Sequence, residues 1–79
     1  MFRQRNKQIA IQILSGRTSA AVAKEFGLSN ARVIRITFDL CDKVAPEIYF
    51  KARIGMRTAS IKVLRGHATT LIPLISSMP

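Results

Sequence analysis

Acidic residues are scarce in this chain. Four Asp and Glu stand against thirteen Lys and Arg, a formal net charge of +9 over 79 residues and a pI near 11.3. An excess of that size favours polyanionic partners, nucleic acid first and anionic membrane surface second. Residues 1–40 hold seven basic and two acidic residues and residues 41–79 hold six and two, so the charge is not confined to a tail. Cys41 is the only cysteine, which excludes an intrachain disulfide and a multi-cysteine metal site; it reads as a small buried hydrophobe. His67 is the only histidine and has no carboxylate or cysteine near it in sequence to complete a ligand set or a triad. No enzyme, metal or cofactor is expected. Tryptophan is absent and aromatics make up 6% of the chain, too few for a base-stacking RNA surface. Ile9–Leu14 is short and interrupted by Gln12, and the uncharged stretch Ala68–Met78 falls well below the roughly 20 residues that span a bilayer. No membrane association and a cytoplasmic location are the expectations.

With 48% hydrophobic residues and a mean hydropathy of +0.18, the chain has enough apolar content to fold as one small domain, all-α and of four to five short helices. Ile9 and Ile13, with Ala10 and Leu14, recur at helical spacing in a first segment of about Asn6–Ser15, with Lys7, Gln8 and Gln12 towards water and Gly16 as the stop. Met1–Arg5 precedes it as a frayed basic arm. A second helix, Ser19–Phe26, is capped by Thr18 and ends at Gly27; a third, Asn30–Lys43, is capped by Ser29. Pro46 opens a fourth that runs to Ile54 and stops at Gly55. A fifth covers about Arg57–Arg65 and ends at Gly66. The tail beyond it reads as a short helical turn, because Pro73 opposes an undisturbed helix through Leu71–Ile75. Residues 6–44 therefore make a three-helix core and 45–79 a helical extension.

Residues 19–38 carry the most information. Val22 and Phe26 point from one helix into a core, and Ala23 is small where a second helix would cross. Gly27 suits the positive φ of a tight turn, Leu28 plugs the space between the helices, and Val33 and Ile36 return the next helix to the same core. This is the pattern of a helix-turn-helix. An ordinary helical hairpin shares its apolar spacing, but the +9 charge and the Arg32 and Arg35 side chains on the second helix favour DNA binding.

Thr18, Val22, Ala23, Phe26-Gly27-Leu28-Ser29, Arg32-Val33 and Ile36 resemble the promoter-reading helix-turn-helix of bacterial sigma factors and related small bacterial or mobile-element regulators. Ile13–Thr18 is similar to the approach to that motif. The resemblance covers about residues 6–40 and implies a DNA-binding fold. The chain departs from it in having Asn30, Ala31 and Ile34 where sigma factors place charged or amide residues early in the reading helix.

In such a unit the second helix enters the major groove, N-terminal residues nearest the bases. Ser29, Asn30, Ala31, Ile34, Arg35 and Phe38 are the outward positions, with Arg35 suited to guanine, Asn30 to adenine, and Ala31 and Ile34 to thymine methyls. Arg32 suits a phosphate, Thr18 and Ser19 offer hydroxyls or amides to the backbone, and Arg3, Arg5 and Lys7 form an arm. Asp39 and Asp42 read as surface charges paired with Arg35 or Lys43. The expected function is a sequence-specific transcriptional regulator that occupies operator DNA as a homodimer. Ile48, Ile61, Leu64, Leu71, Ile72 and Ile75 are the expected dimer or partner surface, with an intramolecular core as the alternative. The competing class is a protein-interaction module, an antiactivator that binds another regulator, suggested by the apolar character of Ala31, Ile34 and the second half.

Overall fold

The computed structural model describes residues 4–53 and 60–79, and every regular element among them is helical. Six helices follow one another: α1 (Gln4–Leu14), α2 (Ser19–Phe26), α3 (Asn30–Val44), α4 (Pro46–Arg53), α5 (Ile61–Arg65) and α6 (Ala68–Ser76).

Local chemistry sets most of the boundaries. At both Gly16 (φ +112°) and Gly27 (φ +68°) the chain adopts a conformation that L side chains resist. Each closes a helix with the paired bonds of a Schellman motif. The Arg17 amide reaches Gln12 O (3.1 Å) after α1, and the Leu28 amide reaches Ala23 O (2.9 Å) after α2. The Thr18, Ser29 and Ser60 hydroxyls accept from the amides of Ala21, Arg32 and Val63 and so cap α2, α3 and α5. Only Ala45 separates α3 from α4; Pro46 holds it out of the helical region, and its carbonyl takes the first amides of α4, those of Ile48 and Tyr49.

The core forms where α1 packs on α3, with α2 closing one side and α6 lying across both. Ile9, Ile13, Val22, Val33, Leu40 and Cys41 are fully or almost fully buried. Thr37 is buried among them, its hydroxyl satisfied by donation to Val33 O at 2.9 Å. Burial pushes the Cys41 thiol up to about 12, which keeps it protonated and inert at neutral pH.

The second half of the chain differs most from expectation. Leu64, Leu71 and Ile75, expected on a partner surface, are 0% exposed in the core of their own chain, while Ile48, Ile61 and Ile72 are half-buried against it. Three short helices alone leave too little apolar area removed from water, so α5 and α6 fold back to complete the core. Each fully buried Leu or Ile contributes about 1.5–3 kcal/mol there. The tail is also more regular than Pro73 suggests, since α6 continues through it. The amide that Pro73 lacks would have met the carbonyl of Thr69, an exposed residue in the first turn of α6.

Two basic residues, Lys7, expected towards water, and Arg65, are structural. Lys7 is buried, and its ammonium donates to the carbonyl of Met78, tying α1 to the C-terminus rather than facing water. Arg65 donates from Nε to Ile13 O (2.8 Å) and from a terminal nitrogen to Arg17 O (2.6 Å), capping the carbonyl end of α1 from 48 to 52 residues away. The expected helix end at Ile54–Gly55 and the start at Arg57 lie outside the described residues.

Candidate nucleic-acid interface

Helices α2 and α3 meet through Gly27, Leu28 and Ser29. Val22 and Ala23 on one side, and Val33 and Ile36 on the other, face the common core, with Phe26 and Leu28 half-buried at the corner. The inward positions on α3 leave Arg32, Arg35, Asp39, Asp42 and Lys43 on its outer arc, all exposed. Asn30 and Ala31 are exposed in the first turn.

The loop before α2 is braced. Arg17 bonds the Gln12 side-chain carbonyl and lies 2.9 Å from Glu25 Oε1, joining α1 to α2. Its hydrogen bond to the Glu25 carboxyl is the main cause of that group's lowered pKa, with Gln12 assisting. Arg17 and Arg65 together fix the approach to Thr18, the cap of α2. Composition alone offered no signal for either role; that of Arg65 depends on backbone carbonyls exposed by the end of α1, and that of Arg17 on side chains that the α1–α2 packing brings together.

Among the described residues the one ion pair within 4.0 Å is Arg17–Glu25, so Asp39 and Asp42 do not pair with Arg35 or Lys43 as expected. Arg32 and Arg35 are likewise free of carboxylates, and their guanidinium groups face solvent. The Thr18 and Ser29 hydroxyls are exposed and each already accepts a helix amide, which leaves the O–H donor to meet a phosphate oxygen.

Three expected contact residues sit differently. Ile34 and Phe38 are half-buried, because α4 packs along one edge of α3 and Ile61 of α5 borders the same groove. They line an open groove with Tyr49 of α4 and Ile61 of α5; the Phe38 and Tyr49 rings lie 5.9 Å apart at 55°, and Arg53 sits over Tyr49 at 5.8 Å. Arg5 belongs to α1 rather than to a frayed arm, and its guanidinium bonds the adjacent Asn6 side chain at 3.2 Å. Arg3 lies outside the described residues.

No family model, curated protein or solved structure matches this chain.

What the site offers rests on its own geometry. It presents a capped helix with two unpaired guanidinium groups and an amide on its exposed side, and an apolar aromatic groove along one edge. No group of three or more His, Cys, Asp or Glu placed to hold a metal ion occurs among the described residues, and no helix among them is long and apolar enough to cross a membrane.

Proposed function

We propose that this protein binds double-stranded DNA through α3, as a sequence-specific transcriptional regulator that acts by occupying its site. The observation that carries the reading is the α2–Gly27–α3 unit, which leaves Arg32 and Arg35 exposed and free of ion pairs on the outer arc of α3. In this role α2 with α3 forms a helix-turn-helix and α3 enters the major groove. Arg35, one turn into the helix, addresses a guanine edge, while Arg32 leans towards a phosphate. Exposed Lys24, Lys43, Lys51, Arg53 and Lys62 supply the surrounding positive field. A domain this small reads few bases, so two copies on adjacent half-sites supply the specificity. The contact between copies does not run through Leu64, Leu71 or Ile75, which the core already holds.

The test is a titration of genomic and random duplexes across salt. Affinity should fall with a log–log slope of about −0.9 per phosphate neutralised. Arg35→Ala should lower specific affinity by about 1–3 kcal/mol and relax the choice at one base position, whereas Arg32→Ala weakens all sequences evenly. Equal, sequence-independent losses for the two variants would remove Arg35 as a reader.

A second reading, an interaction module that binds another regulator, is favoured by the groove where Ile34 and Phe38 face Tyr49 and Ile61. It is the outcome indicated if no duplex binds better than micromolar at low salt while the protein co-purifies with a regulator.

A further inference from the structure

Asp39 has no part in the reading above, yet it stands beside the residue that carries it. It lies four positions after Arg35 on one helix, so the two share a face one turn apart, both exposed and both bordering the same groove. They do not pair with each other, since the one ion pair among the described residues is Arg17–Glu25. The order of the charges is one reason, because a cation placed N-terminal to its acid at this spacing is the weaker arrangement on a helix. Asp39 therefore keeps a free carboxylate between Arg35 and Lys43 on the outer arc of α3, one turn before the other exposed acid there, Asp42.

Against DNA such a group is repelled by phosphates and by most base edges. An ionised carboxylate only accepts hydrogen bonds. In the major groove guanine offers acceptors at N7 and O6, and thymine offers O4; cytosine presents an N4 amine flanked by an acceptor on one side only, the O6 of its paired guanine, whereas the adenine amine lies between its own N7 and thymine O4. Cytosine is thus the base edge that an aspartate tolerates best. Four helical residues rise about 6 Å, close to two base steps, so Asp39 reaches a neighbour of the base pair met by Arg35.

We propose that Asp39 is a specificity-determining residue that accepts from a cytosine amine one or two base pairs from the guanine addressed by Arg35. The inference rests on the DNA reading of α3. Asp39 then lowers affinity for DNA in general and raises discrimination, which explains a free acid on the outer face of a chain with so few of them.

Selection from a randomised duplex pool with the full chain, followed by titration of selected and unrelated duplexes, tests this. The wild type should enrich cytosine at one position by about fivefold or more over other bases. Asp39→Ala should flatten that position alone and tighten binding to unrelated duplexes. Asp39→Asn should move the preference to adenine, the base that an amide reads bidentately. Asp42→Asn, a turn farther along the arc, should tighten unrelated duplexes without altering any base preference. An unchanged base profile in Asp39→Ala, or the same flattening in Asp42→Asn, overturns the assignment and leaves DNA binding by α3 intact. A folded wild type that enriches no sequence removes the DNA reading, and this inference with it.

Discussion

Replacing Gly27 isolates the cost of the turn that sets α2 against α3. Its φ of +68° lies in the left-handed region, and a Cβ built there meets nothing within 4 Å. A substitution therefore carries conformational strain without a steric clash. Forcing an L residue into this region costs about 1–2 kcal/mol, partly offset by the lower unfolded-state entropy of alanine, so Gly27→Ala should lose about 1 kcal/mol. Valine adds χ1 restriction and strains the bond from the Leu28 amide to Ala23 O, raising the loss to about 2 kcal/mol. Asparagine, which tolerates the left-handed region, should lose least of the three. In a domain of this size each kcal/mol shifts the melting temperature by about 4–8 °C. Gly16 provides the comparison. At φ +112° it lies beyond the left-handed helical well, so Gly16→Asn should gain little over Gly16→Ala. Thermal melts followed by circular dichroism give the order directly. Gly27→Ala melting within a degree of the wild type, or Gly27→Asn melting as low as Gly27→Val, would refute the dihedral account.

Three further outcomes follow from the core and its braces. Leu71→Ala should destabilise by about 2–5 kcal/mol in chemical denaturation, and Leu71→Asp should abolish folding; a folded aspartate variant would place Leu71 outside the core. Arg65→Ala should cost about 1–3 kcal/mol, because two carbonyls lose a charged donor; Arg65→Lys should recover only part, having no fork to span Ile13 O and Arg17 O. Cys41 titrates near 9 when unfolded and about 12 in the fold, so its contribution is intact below pH 9 and is lost as pH rises towards 12, at about 1.4 kcal/mol per pH unit. Cys41→Ala should lack that part of the alkaline decline, and identical alkaline slopes for the two proteins would contradict the burial effect.

Local signals in the sequence carried the framework. Thr18 and Ser29 cap the helices they precede, Gly16 and Gly27 end the helices they follow, and Pro46 opens α4, because each effect acts within one turn of backbone. The inward positions Val22, Ala23, Val33 and Ile36 were equally legible, since helical periodicity reports which face is apolar. Periodicity does not report what covers that face. Leu64, Leu71 and Ile75 have the same pattern whether they meet a second chain or their own α1 and α3, and only the packed structure chose the latter. For the same reason Ile34 and Phe38 appeared outward until α4 and α5 were placed beside them. The roles of Lys7 and Arg65 were beyond reach, because each depends on a carbonyl brought near by tertiary folding, Met78 O for one and Ile13 O with Arg17 O for the other. What acts within a turn of backbone is written in the sequence; what joins residues fifty or seventy apart exists only once the helices have packed.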